Sequence, residues 1–191
     1  MKFLIIILSS AIINNISLTY FLGTCPFIAL SKNVRAAFGM GVAVTFVIVV
    51  TAAVNHILYY NVLLPLGVDF LSFVVFILSI AAIVQLLEIF IERFLPALYM
   101  AFGIFLPLIT VNCAILGVSL FMILREYEFL DALAYSFGSG VGWMLAITAM
   151  AGLRKYLALS RPVRLLGEAG ITLVLAGFMA LAFLGFTGML N

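Results

Sequence analysis

Two cysteines, Cys25 and Cys113, carry most of the chemistry this sequence can offer, and each sits inside a long apolar run beside residues that interrupt helices. In "FLGTCPF" (residues 21–27), Gly23 precedes Cys25 by two positions and Pro26 follows it; in "GIFLPLITVNCAIL" (103–116), Gly103 and Pro107 lie upstream of Cys113 and Asn112 adjoins it. Gly23 is free to leave helical dihedrals, and Pro26 reads as the first residue of a new half-helix, where its missing N–H costs nothing. Thr24 and Cys25 then form the junction, with Cys25 as the cap. Gly103 and Pro107 are expected to interrupt the second run, with the Asn112 amide available as a donor beside the thiol. Three uses of the thiols are open. Free cysteine packs as a small hydrophobe. A disulfide needs an oxidant that reaches it. Two thiolates also make half of a four-thiolate iron-sulfur site, and a half-helix starting at Cys25 would aim unpaired N–H groups at a buried anion.

The elements that position these residues are set by composition. Of 191 residues, 67% are hydrophobic and 8% charged, against roughly 45–50% and about 25% in soluble domains. This is an integral membrane protein. Apolar runs of span length cover Phe3–Leu30, Ala36–Tyr60, Val68–Ile91, Ala97–Leu124, Phe129–Leu153 and Ile171–Leu190. The first and fourth, about 28 residues each, would be about 42 Å long as straight helices in a hydrocarbon core of about 30 Å, so they must tilt, protrude or break. The opening "MKFLIIILSSA" imitates a secretory signal, but its apolar run continues to Leu30 and is kept as the first span. Six spans put both termini on one side. Lys2 and Arg125 fall on that side, and Lys32, Arg35, Arg93, Arg154, Lys155, Arg161 and Arg164 on the other. The richer side is cytoplasmic by the positive-inside rule, and the termini face out. A net charge of +2, confined to short loops, excludes a nucleic-acid surface.

The span pattern divides into two halves, 1–95 and 96–191. "FGMGV" at Phe38–Val42 returns as "FGSGV" at Phe137–Val141, and each half carries one cysteine in its first span. Three spans being odd, the second half enters the bilayer inverted, an arrangement common in transport folds. Counting helical rise from Lys32 and Arg125 places both cysteines at nearly the same depth, slightly to the cytoplasmic side of centre. The expected fold is all-α, one membrane domain of six transmembrane helices in two inverted repeats, with the first and fourth broken.

Several runs resemble a known family, the RnfA/NqrE membrane subunits of ion-translocating respiratory complexes. They are "NNISLTYFLGTCPFIALSK" (14–32), "FGMGVAVTFV" (38–47), "LGVDFLSFVVFILSIAAIVQLLE" (66–88), "LYMAFGIFLPLITVNCAILGVSL" (98–120) and "LAGFMALAFLGFTG" (175–188). The resemblance implies a non-catalytic subunit in a prokaryotic inner membrane. It pairs with a homologous, oppositely oriented RnfE/NqrD-type subunit, alongside others that carry flavin and iron-sulfur centres. It further implies that Cys25 and Cys113 ligate the iron of a 2Fe-2S cluster shared with that partner, supported by Gly23, Thr24, Pro26 and Asn112. The pair Asn14–Asn15, the Cys25–Pro26–Phe27 run, the short loop near Pro65 and "CAILGV" resemble the Rnf branch, ferredoxin:NAD oxidoreductases that move Na+ or H+. "VNCAI" and "GVGWMLAI" resemble the Nqr branch, Na+-pumping NADH:quinone oxidoreductases. The balance of motifs favours Rnf, with an NqrE-type subunit as the alternative. A rival of another class, a small inverted-repeat transporter or channel component without redox chemistry, also accounts for the broken helices.

The remaining polar residues invite simpler readings. Glu88 shares a helix face with Gln85 and Glu92, and is either an ion-pathway carboxylate or a structural partner of Arg93 or of a neighbouring subunit. Asn14 and Asn15 are expected to join helices, Gly39, Gly41, Gly138, Gly140 and Gly142 to allow close helix approach, and His56 to sit at the outer interface. Neither a P-loop nor a dinucleotide fingerprint is present.

Overall fold

In lipid every backbone polar group must be satisfied internally, so apolar runs of this length fold as helices. The computed structural model of the chain describes residues 2–31, 33–94, 106–157 and 163–187. All regular elements there are helical. The first span consists of α1 (Lys2–Leu8), a π turn (Ser9–Ile13), α2 (Ile16–Thr19) and α3 (Thr24–Leu30). The second is α4 (Val34–Leu58), which continues through a π turn (Tyr59–Leu63) into α5 (Leu64–Leu66). A short 3-10 turn (Asp69–Leu71) leads into α6 (Ser72–Phe94); α7 (Leu106–Thr110), α8 (Cys113–Leu124), α9 (Phe129–Leu157) and α10 (Val163–Thr187) complete the order. Lys2–Thr19, Val34–Leu66, Asp69–Phe94 and Phe129–Leu157 are long and apolar enough to cross a membrane unaided, whereas Leu108–Leu124 and Ala169–Gly185 are shorter. The multi-pass, all-helical architecture is therefore present. Gly167 (φ 71°, ψ 163°) kinks α10 near its start. Gly103 and Lys32 lie outside the described residues.

The core is built around α4 and α9. A Cβ on Gly41 would run into Met144, and one on Gly140 would lie 2.7 Å from Thr45 Cγ2. As the number rises from 41 to 45 on α4, its partner on α9 falls from 144 to 140, so the two helices are antiparallel. The contact is also reciprocal. In the register that aligns "FGMGV" with "FGSGV", Gly41 corresponds to Gly140 and Thr45 to Met144, so each glycine seats the other's counterpart. Val42 and Val141, equivalent in the same register, line one apolar groove between the helices.

The first span runs alongside α9 in the same direction. Lys2 Nζ reaches Asp131 Oδ2 at 2.7 Å near the start of α9, and Arg154, near its end, donates from Nη1 to the Ile28 carbonyl at 3.0 Å and to Ser31 Oγ at 2.6 Å. Between these ties, Ser10 and Ala11 are buried. The excess length is absorbed by an excursion. Asn15 donates to the Gly142 carbonyl at 2.8 Å, while Gly23, eight residues later, packs against Trp143, the next residue on α9. A straight helix would separate Asn15 and Gly23 by about 12 Å, which is about the surplus of the first run over the hydrocarbon core.

Buried polar groups join the other spans. Asn55 Nδ2 donates to Ser119 Oγ at 2.9 Å and its Oδ1 accepts from Ser79, joining α4, α8 and α6. The expectation for Asn15 as an interhelical tie holds, but Asn14 bonds locally to Ser9 Oγ at 3.4 Å. His56 is 8% exposed, with Nε2 3.0 Å from the Tyr127 carbonyl oxygen and its ring close to Tyr60 and, edge-on, to Phe129. Aromatic neighbours on α9 and in the turn after α4 cover a ring that the apolar pattern of α4 alone leaves at the surface.

Two helix breaks that meet at Cys113

The break before Cys25 spans Tyr20 to Gly23. Gly23 has φ 80° and ψ 24° and serves as the cap of α3, which begins at Thr24. The half-helix thus starts earlier than the proline suggests, and Cys25 is its second residue rather than its cap. Pro26, third in α3 and buried, still sacrifices nothing, because N–H groups of a first turn have no intrahelical partner. Phe21 also adopts a left-handed backbone, φ 54°, a conformation costly for a bulky aromatic residue.

The break before Cys113 is shorter and falls at Val111–Asn112, between α7 and α8. Pro107 belongs to α7, and the interruption expected at Gly103 lies outside the described residues. Asn112 Oδ1 accepts from the Ala114 N–H at 3.1 Å, capping α8, whose first residue is Cys113. The asparagine thus starts α8.

The two breaks face one another. The Gly23 N–H donates to Cys113 Sγ at 2.9 Å, across 90 residues of sequence. Cys25 is two residues from that amide, at most about 8 Å of chain. Both thiols are free; Cys25 is exposed on the surface of the chain and Cys113 half-buried. Exposure removes the packing reading for Cys25 within this chain, and the Gly23 amide supplies Cys113 Sγ with a hydrogen-bond donor. A Cβ at Gly23 would lie 2.5 Å from Trp143 Nε1 and 3.0 Å from Asn112 Oδ1, so glycine is demanded by space as well as by dihedral angle. Asn112 Nδ2 and Trp143 Nε1, both buried, have no hydrogen-bond acceptor among the described residues.

Chemically, this is a pocket of donors beside sulfur. No group of three or more His, Cys, Asp or Glu side chains able to hold a metal occurs among the described residues. Two thiols, one of them accepting the Gly23 N–H, beside two side chains that pack against Gly23 and carry unpartnered N–H groups, fit one side of a thiolate-ligated cluster whose other side would come from a second chain. Trp143 falls within the "GVGWMLAI" run, but nothing in that run assigns it a role at the site; the available signal is that a tryptophan in a membrane core needs an acceptor for its N–H. Glu88 lies apart on α6, half-buried, and accepts from Gln85 Nε2 at 3.4 Å. Among the described residues it makes no ion pair with Arg93, which is one turn and more further along.

Residues 3–190 match the family described as "Rnf-Nqr subunit, membrane protein". The chain is 50% identical over 183 residues to the E-type subunit of the Na(+)-translocating NADH-quinone reductase of Serratia proteamaculans, a match that covers 93% of this chain and 92% of that one. It is 48% identical over 192 residues to the protein of the same name in Neisseria meningitidis serogroup B, covering 98% of each.

Proposed function

The chain belongs to the Rnf-Nqr family of membrane subunits, and from that premise we propose that it is an E-type, electron-carrying subunit of a Na+-translocating NADH:quinone oxidoreductase. Cys25 and Cys113 provide half of the ligands of a 2Fe-2S cluster, and a homologous D-type subunit provides the rest. The motif balance that favours Rnf gives way to two relatives near half identity, both named for the Nqr complex. The observation that carries the reading is the Gly23 N–H on Cys113 Sγ, which brings two helix breaks and two thiols together from opposite halves of the chain.

A bound cluster would supply one-electron storage partway through a core about 30 Å thick. The residues of this chain do the rest. Gly23 holds its amide on sulfur, Asn112 starts α8 so that Cys113 leads it, and Arg154 anchors the far end of α3. The antiparallel, reciprocal seating of Gly41 and Gly140 supports two inverted three-helix repeats, 1–95 and 96–191, related by an axis between α4 and α9. The distribution of Lys and Arg supports both termini on the outer face of the inner membrane. Glu88 remains the candidate carboxylate for the ion path.

The test is iron content and the reduced-state EPR spectrum of the purified complex, with and without Cys113→Ala. A 2Fe-2S signal that the substitution removes is the expected result. An iron-free complex, stable and unchanged by the substitution when prepared without air, would return the chain to the transporter class.

A further inference from the structure

We propose that Trp143 sets the reduction potential of this site, its indole N–H donating, together with the Asn112 carboxamide, to the sulfur acceptors around Cys113. This rests on the cluster reading above. Burying an N–H without a partner is costly, and native interiors rarely tolerate it. Two such donors occur here, on different elements. Trp143 is fully buried on α9 and Asn112 is 2% exposed at the head of α8. Each lies against Gly23, the residue whose own amide already reaches Cys113 Sγ.

The orientation of each donor is fixed independently. Because Asn112 Oδ1 takes the Ala114 N–H, its Nδ2 is the end left without an acceptor. The indole is held by an edge-to-face contact with Phe27, ring centroids 6.5 Å apart at 74°. Its Nε1 points to the space that a side chain at position 23 would fill. N–H groups left without another acceptor suit an electron-rich sulfur set, whose potential depends on the hydrogen bonds it receives. Each donor stabilises the more negative, reduced state and so raises the potential.

The experiment uses the whole complex, grown with tryptophan labelled with nitrogen-15 in the indole ring, and reads the reduced cluster by pulsed EPR. The expected result is a weak nitrogen-15 coupling that disappears in Trp143→Phe while the cluster signal persists. In a redox titration, Trp143→Phe should lower the midpoint, raising the oxidised-to-reduced ratio at fixed poise by up to about tenfold, which is about 59 mV for a one-electron couple. Should Trp143→Phe fail to assemble, Asn112→Ser, which keeps a capping oxygen but loses the N–H donor, should lower the midpoint in the same direction. A cluster present with no indole coupling and an unmoved midpoint in either variant overturns the inference and leaves the cluster reading intact. A complex with no cluster signal before any substitution overturns both.

Discussion

The two helix breaks solve the same problem by different means. Before Cys25 the chain turns on backbone freedom, with Gly23 in a left-handed conformation and no side-chain cap. Before Cys113 it turns on a side chain, the Asn112 oxygen on the Ala114 N–H. The glycine solution leaves Gly23 N–H free to reach sulfur, and leaves Cys25 on the surface; the asparagine solution encloses Cys113 and commits its oxygen locally. One break therefore presents a thiol outward, and the other receives a hydrogen bond from within.

That contrast can be broken most severely at Gly23. Gly23→Ala combines a positive φ with a Cβ 2.5 Å from Trp143 Nε1, and the expected cost is about 2–4 kcal/mol, read as a lower melting midpoint in detergent and loss of iron from the complex. Asn15→Ala comes next. It removes the cap on α2 and the bonds to the Ala11 and Gly142 carbonyls, and should cost about 2 kcal/mol by the same melting measurement. Asn112→Ala should cost about 1 kcal/mol, with Asn112→Asp recovering most of it because the capping oxygen is kept; equal losses in the two variants would show that the cap is not what Asn112 contributes to stability. The mildest perturbation needs no substitution. In the chain separated from its partners, a membrane-permeant maleimide should label Cys25 several-fold faster than Cys113, and equal rates would erase the distinction between the breaks.

Much of this arrangement is legible in the sequence because the relevant signals are local. Six apolar runs and a glycine two residues before a cysteine are visible without a structure, and the glycine locates the first break to within a few residues; the asparagine directly before Cys113, which marks the second, reads in the sequence as an amide donor rather than as a helix cap. What is not legible depends on partners distant in sequence. The excursion from Asn15 to Gly23 exists because the Asn15 amide reaches Gly142, 127 positions away, and because Phe21 accepts an unfavourable backbone angle that local preference argues against. Pro26 marks the start of α3 only loosely, since proline is compatible with any position in a first turn and cannot fix the residue. Trp143 escapes notice because an apolar span conceals an indole whose importance lies in one unpaired N–H.

The central pair has a mechanical consequence. Over 25 residues of α4 and 29 of α9 the helical hydrogen bonding continues uninterrupted, and the glycine seats lock the two helices face to face. Spans one and four have already given up that bonding at Tyr20–Gly23 and Val111–Asn112. A rod resists bending where its ladder is intact and yields where it is cut. The molecule is thus a stiff axle with two hinged arms, and each hinge carries a sulfur at its pivot.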